Sequence, residues 1–429
     1  MNTSPVEKST SRASNDQGQS ARGLGSGEGT PRMKILVLAT DIFTRGGIAR
    51  YTATLALSLG GVVGAENVDV LCFFDWGGDR EQARGFRVTG TVSPGPRASV
   101  WSRLRFLIEV GRAGMRGYDL VIANHIALAP VAAMVKLFLG TPYWVACHCV
   151  EVWWGASRWR QAALRHADMI LPVSLYTASV VQKMNGIQSS RVKVLYNAIP
   201  NTFVDLVTAP EGGSAAKVKC GGKVLLSVCN LDPGNEFKGV DTVIRALPEV
   251  LKVLPDVRYV VVGEGAIRKN LEKFATEMGV AQKVTFVGEV TDAALAELYR
   301  GCDVFVLPSR GKGQRGVAGG EGFGRVYVEA ALASKPVVGS RSGGAAEAVL
   351  PGRTGLLVDP DSSSEVAEAV LTILRDSQLA ARMGSEGRRW ALGAFSEKTL
   401  SSELRELLRP YGPSKERVVR FTPHPGGQI

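Results

Sequence analysis

From Lys34 onward, short runs of β-branched and aliphatic residues alternate with amphipathic stretches at helical spacing. KILVLAT, VDVLCFF, DLVIAN, YWVACH, MILPVS and VKVLYNA read as strands, with helices at Ile48–Leu59 and Trp101–Arg116 between some of them. These strand runs are nearly continuous in apolar residues. That is the pattern of a parallel sheet covered on both faces, because each crossover helix must return over the sheet. The alternation halts across Asn201–Gly222, where Pro210, Gly212, Ser214 and Gly221 gather, and such residues punctuate a chain at loops. It resumes with KVLLSVC, VRYVVVGEG, KVTFVGEV, CDVFVLPS, PVVGS and GLLV, separated by helical patterns near Val240–Leu254, Ile267–Met278 and Ala293–Tyr299.

The pattern predicts an α/β protein of two Rossmann-like, doubly wound domains facing a central cleft. A length of 429 residues suits two cores better than one. The expected division is a first domain over 33–205, a linker over 206–222, a second domain over 223–395, and a C-terminal helix over 396–411 that packs back on the first domain. Residues 1–32 are polar, rich in Ser, Gly and Arg and without an apolar core segment, so they read as a disordered tail and not a signal peptide. Met33, directly before the first strand, is the expected native start, and 412–429 reads as a flexible tail. Ligands of doubly wound sheets bind outside the carboxyl ends of the strands, so function is expected in the loops that follow strands.

Charge and cysteine content narrow the setting. The net charge of +11 and pI near 9.4 favour an anionic partner: nucleic acid, an acidic membrane surface or a phosphorylated substrate. No run approaches the roughly 20 apolar residues that span a bilayer, so a soluble or peripheral protein is expected. The six cysteines are scattered and mostly lie in apolar, strand-like runs, as buried thiols of a reducing compartment do. Cys147 and Cys149 lack a second pair at zinc spacing, and no metal site is expected.

Several loops carry candidate chemistry. DIFTRGGIAR, after the first strand, has Gly46 and Gly47 at the opening of a helix, where bare N–H groups meet a phosphate or simply make a tight turn. YWVACHCVEVWW places His148 at a strand end facing the cleft, either as a site residue or as a hydrogen-bonded histidine at a domain edge. In NLDPGNEFKGVDTVI, Lys238 precedes a helix and either neutralises a diphosphate or is solvated. Val287 and Gly288 end a strand where a flat base can approach the backbone. Most informative is GEGFGRVYVEA, residues 320–330, in which Glu321 and Glu329 stand eight residues apart. A turn at Gly322-Phe323-Gly324 into a helix from Arg325 would leave Glu321 in the loop and Glu329 one turn inside the helix. Both carboxylates can then accept hydrogen bonds from vicinal hydroxyls of one ligand, beside the N–H groups of the helix start.

With these segments in place, the chain resembles the family 4 retaining glycosyltransferases of the GT-B fold, over roughly Met33 to Tyr411. The resemblance rests on the Gly46-Gly47 loop, HCVEVW, NLDPGNEFKG, VTFVG, and above all GEGFGRVYVEA followed by LASKPVVGSRSGGAAEAV. It implies that Gly47 and Lys238 meet the donor diphosphate, that Val287 and Gly288 flank the base, and that Glu329 binds the ribose. Glu321 and His148 would surround the transferred sugar, and Phe323, Gly324 and Arg325 would offer backbone N–H groups. Asn230 departs from the pattern, since relatives often carry a basic residue there; Lys238, Arg310 or Arg315 would then carry the diphosphate. In such enzymes a nucleoside diphosphate leaves while the oxocarbenium-like sugar is attacked from the same face, so stabilising the departing charge is the chief task. No metal or cofactor is implied, and Asp359-Pro360-Asp361 reads as a surface turn.

The acceptor side falls to the first domain. Arg97, Arg103, Arg105, Arg112 and Arg116 interleave with Leu104, Phe106, Leu107 and Ile108, and a second basic aromatic cluster comprises Trp153, Trp154, Arg158, Trp159, Arg160 and Arg165. Such mixtures dock on anionic membranes, or else are a solvated helix back and core tryptophans. The expected function is transfer of a hexose from a nucleotide diphosphate sugar to a glycan or lipid-linked acceptor in cell-envelope or exopolysaccharide synthesis. The setting is cytoplasmic and peripheral at the inner membrane face, with no nucleic acid partner. A degenerate nucleotide-sugar binder is the alternative. A Rossmann oxidoreductase is disfavoured, because no strand–GxGxxG–helix unit with an acid about 20 residues later stands out.

Overall fold

The computed structural model describes residues 33–44, 46–75, 86–94, 99–153, 157–209, 221–311 and 320–411. In the first half, β1 (Ile35–Ala39), β2 (Val68–Asp75), β3 (Arg87–Pro94), β4 (Leu120–Ala123), β5 (Tyr143–Cys147) and β6 (Met169–Pro172) form a parallel sheet in the order β3-β2-β1-β4-β5-β6. In the second, β7 (Val224–Val228), β8 (Arg258–Val262), β9 (Val284–Gly288), β10 (Val304–Leu307), β11 (Val337–Ser340) and β12 (Gly355–Val358) run β12-β11-β10-β7-β8-β9. Counted within its own half, each sheet has the same order, 3-2-1-4-5-6. Strand order reverses at β1/β4 in one and at β7/β10 in the other, and a crevice opens at the carboxyl ends of such a pair.

Central strands are buried at every position, as in β1, β4, β5 and β10, which explains their continuous apolar runs. The edge strand β9 alternates between exposed and covered residues. Helices cover both sheets: α1 (Gly47–Val63), α2 (Val100–Gly114), α3 (Ala129–Leu139), α4 (Val150–Trp153), α5 (Arg158–His166), α6 (Leu175–Asn185) and α7 (Asn201–Thr208), then α8 (Val240–Val253), α9 (Arg268–Glu277), α10 (Asp292–Gly301), α11 (Arg325–Leu332), α12 (Ser363–Arg375), α13 (Ser377–Ala394) and α14 (Glu397–Leu408). α14 packs on α1, and the Tyr411 ring beyond it stands edge-on to Trp144 at 5.3 Å, so the chain end returns to the first sheet.

Two expectations are corrected. VKVLYNA is not a strand: Val192 makes one isolated bridge to Ile170 and the segment then runs as an extended connection, while RVTGTVSP supplies the sixth strand, β3. Its mixed polarity reflects an edge position, paired to β2 alone. The expected linker begins too early, because Asn201–Thr208 is the helix α7, which buries Phe203 and Val207 and packs on α10 and α11. Residues 1–32, 210–220 and 412–429 lie outside the described residues.

Candidate active site

The loops at the two strand-order reversals contain most of the residues singled out in the sequence. After β1, Asp41 accepts from the backbone N–H of Ile42, Phe43 and Thr44 at 2.7–3.1 Å and so folds the loop that ends at Gly46 and Gly47. Both glycines are exposed, and Gly47 is the first residue of α1. The N–H groups of the helix start therefore stand open toward an anion.

After β7, the NLDPGNEFKG segment turns into α8. Asn230 holds this turn from within: its Oδ1 accepts from Asp232 N–H at 2.6 Å and its Nδ2 donates to Asp232 at 3.0 Å. Gly239 has φ +77°, and a Cβ there would lie 2.1 Å from the Pro308 carbonyl, so only glycine lets the loop pass this close to β10's end. The result aims Lys238 inward, where Nζ meets Glu321 Oε2 at 2.6 Å with both side chains about five-sixths buried. Burial pushes the Lys238 ammonium down, but the Glu321 carboxylate outweighs it and carries it above its ordinary value.

Glu321 stands in the turn ahead of α11, as its spacing predicts. Gly324 takes φ +92° at the helix N-cap, which lets Arg325 open the helix and puts Glu329 one turn in. The two acids have different surroundings. Glu321 lines the cleft with Lys238, whereas Glu329 is only 3% exposed, with Oε1 accepting from Arg325 Nε at 2.9 Å and Oε2 from Tyr299 Oη at 3.0 Å. Phe323 is buried among Tyr196, Phe395 and their neighbours, so its backbone and not its ring borders the cleft. Val287 is exposed at the end of β9, and Gly288 follows at φ +81°, buried under Glu264, whose carboxylate lies 3.1 Å from where a Cβ would stand.

His148 reaches this turn from the other domain. Its carbonyl lies against Gly322, where a Cβ would come within 2.1 Å of it. The imidazole is buried, with Nε2 donating to the Asn124 carbonyl at 2.8 Å and the ring edge-on to Tyr51 at 4.8 Å. Burial holds it below the usual histidine range against the pull of Glu151, so the ring is neutral at pH 7. Glu151 accepts from the backbone N–H of His148 and Cys149 at 2.7–3.0 Å and thereby shapes the loop that presents His148.

Further contacts across the seam were not evident in the sequence. Ser174, the N-cap of α6, donates to the Gly322 carbonyl at 2.5 Å, and Glu347 of the second domain accepts from Leu175 and Tyr176 N–H at 2.8 and 2.7 Å. Arg50 of α1 pairs with Asp292 of α10. Only Ser174 had a local signal, as a serine before a helical run; Glu347 and Asp292 look like ordinary surface acids until the two domains meet. Of the alternative diphosphate cations, Arg310 is engaged by both Asp241 oxygens at 2.7–3.0 Å and by Asp361, while Arg315 lies outside the described residues. Trp153, open between a docking cluster and the core in the sequence, is a core residue packed edge-on to Tyr176; Trp154 and Arg97 lie outside the described residues.

Residues 45–202 match the model described as Glycosyltransferase Family 4, and residues 217–390 match Glycosyl transferases group 1. The GDP-mannose-dependent alpha-(1-6)-phosphatidylinositol monomannoside mannosyltransferase of Mycolicibacterium smegmatis is 33% identical, over 87% of this chain and 98% of its own. This chain belongs to the family 4 glycosyltransferases. The corresponding enzyme of Mycobacterium tuberculosis is 31% identical over 88% of this chain and 98% of its own. Among solved structures, Anabaena Alr3699/HepE in complex with UDP and glucose superposes with a TM-score of 0.73 at 24% identity, covering 88% of this chain and all of that one. The lipopolysaccharide glycosyltransferase WaaG superposes at 0.64 and 20% identity, over 87% and 99% of the two chains. These likenesses establish the GT-B fold. The glycosyltransferase uses a nucleotide sugar.

Proposed function

We propose that this glycosyltransferase moves a mannose from GDP-mannose to a lipid-linked acceptor with retention at the anomeric carbon and without a metal ion. The observation that carries this reading is the Lys238–Glu321 pair of the second domain, with the His148 loop of the first domain packed on the turn beside it. The donor assignment follows the two mycobacterial relatives, whose names specify GDP-mannose and a phosphatidylinositol mannoside. Lys238 and the open N–H groups after Gly46 and Gly324 neutralise the diphosphate as it departs, a preorganised electrostatic role. Val287 and Gly288 take the base and Glu329 the ribose. Glu321 and His148 hold the sugar so that the acceptor attacks from the face the nucleotide leaves. None of these residues needs to be a proton donor for the departing group.

The first domain presents a surface suited to an acceptor carried in a membrane. Val100 and Trp101 on α2 are each 78% exposed, and Leu137 and Phe138 on α3 are 77% and 73% exposed. α2 packs beside α3 and α3 beside α5, whose Trp159 is also exposed. Across these three helices, seven cations (Arg103, Arg105, Arg112, Lys136, Arg158, Arg160 and Arg165) accompany one acid, Glu109. Apolar tips among cations fit an anionic headgroup layer. Protein working at the cytoplasmic face of such a membrane needs no spanning helix, and among the described residues none is long and apolar enough to span.

Incubation with GDP-, UDP- and ADP-sugars tests the donor: GDP-mannose should raise the melting temperature most, since a ligand of the folded state stabilises it. Radiolabel transfer from GDP-mannose to an extracted lipid fraction should persist in excess EDTA and fall at least about 100-fold in Glu321→Ala. Turnover unchanged in both Glu321→Ala and His148→Ala would overturn the site.

A further inference from the structure

Arg325 is the first residue of α11, and a backbone N–H is all that the donor site asks of it. Its side chain nonetheless reaches Glu329 one turn on and is only 8% exposed. Nε donates to Glu329, but Nη1 and Nη2 are buried and meet no acceptor in the protein. Holding Glu329 requires one N–H. The remaining edge of the guanidinium is left over, and buried donors without partners are rare because their lost hydration is not replaced.

The surroundings sharpen this. Burial pushes the Arg325 guanidinium below its ordinary value; Glu329 opposes that, while the like charge of Arg50 from the other domain adds to it. Arg50 is held at the seam by Asp292 of the second domain, and Glu329 binds Arg325 through Nε alone. Like charges drawn together under low exposure favour an anion between them. The place matters as well. Arg325 opens α11, the helix start assigned to the diphosphate, and one turn on the same helix carries Glu329, assigned to the ribose. Among the described cations near this turn, Arg310 is engaged by Asp241 and Asp361, and Lys238, the diphosphate cation already assigned, is shared with Glu321. Asn230, on the loop before Lys238, is bound into that loop by Asp232.

We propose that Arg325 is a donor-binding residue whose free Nη1/Nη2 edge takes phosphate oxygens of the nucleoside diphosphate, with Arg50 as the second cation of the same subsite. This rests on the donor-site reading above. A planar fork of N–H groups matches two oxygens of one phosphate, which a lysine cannot reproduce. When the ribose engages Glu329, the hydrogen bond from Arg325 Nε weakens and the guanidinium turns fully to the phosphate.

The test is calorimetric binding of GDP, GMP and guanosine to the full chain and to Arg325→Gln, Arg325→Lys and Arg50→Gln. Arg325→Gln should weaken GDP at least about tenfold and leave guanosine within about twofold, so the preference for GDP over guanosine collapses. Arg325→Lys should recover part of the loss. Arg50→Gln, more accessible and less able to perturb folding, should weaken GDP by a smaller factor in the same direction. If the GDP-to-guanosine ratio in Arg325→Gln and Arg50→Gln equals that of the natural chain, Arg325 is only a strap for Glu329 and the proposal fails. A natural chain that binds none of the three compounds would instead defeat the donor reading on which the proposal stands.

Discussion

Lys238 and Glu321 form the most consequential side-chain pair in the cleft, and their mutual burial decides what removing either one does. Lys238→Met deletes the cation expected to meet the departing diphosphate and leaves Glu321 without its partner. Loss of one such preorganised group costs roughly 10²–10³ in kcat, so transfer from GDP-mannose should fall by about that factor while the fold persists, as judged by circular dichroism. The buried histidines make a separate prediction about pH. Burial lowers His125 to about 4, with Glu151 opposing and His148 and Arg160 assisting, and His148 is shifted in the same direction. A base whose folded value is depressed gives stability that is full above its unfolded value near 6.5 and is lost as pH falls, because the unfolded chain then takes the proton first. Urea unfolding should therefore show a loss of roughly 1–3 kcal/mol between pH 7.5 and pH 5. His125→Gln should flatten that slope.

At the scale of elements, loop ends are fitted by backbone contact. Gly239 stands at φ +77° with the Pro308 carbonyl where a Cβ would be. Gly239→Ala must strain the left-handed turn and push β10's end away, so it should destabilise the protein by about 1–3 kcal/mol in chemical denaturation. Gly322 is similar in space but joins two domains, since a Cβ there meets His148's carbonyl. Gly322→Ala should reduce transfer more than stability, because it separates the His148 loop from the Glu321 turn. Unimpaired transfer by that variant would mean that this close approach is dispensable. Glu347 bonds the first N–H groups of α6 from the other domain, an N-terminal cap supplied in trans. That is how a strand-following turn of one sheet fixes the helix start of the other.

Over the whole molecule, the seam and the apolar face separate two tasks. The Arg50–Asp292 pair, the Ser174–Gly322 bond and the Glu347 cap hold the domains together on the donor side. The α2–α3–α5 face points its tryptophans and phenylalanine outward on the acceptor domain. Trp101→Ser with Phe138→Ser should abolish flotation with vesicles containing anionic lipid and leave GDP binding unchanged, since neither residue belongs to the cleft. Raising salt should weaken the natural chain's flotation, as headgroup attraction is screened beyond about 10 Å. Equal flotation of the natural chain and the double variant would remove this face as the docking surface.

Local pattern was enough for the repeated βα units, because a parallel strand covered on both faces must be apolar throughout, and the central strands are so at each position. It was enough to put Glu321 and Lys238 in turns and Glu329 one turn inside a helix, because the positive-φ glycines Gly239, Gly320 and Gly324 mark those turns. It failed for β3, whose edge position allows polar residues, and for VKVLYNA, apolar enough for a strand yet without a neighbour to extend a ladder. Only the tertiary structure decided that Glu329 is buried against Arg325 and Tyr299 while Glu321 pairs with Lys238, that Trp153 is core, and that the Arg325 guanidinium is left with a buried edge that meets no acceptor in the protein. Those outcomes depend on which residues distant in sequence arrive at the same place. Periodicity reports the face a residue takes on its own element and carries no information about what the opposing domain brings to meet it.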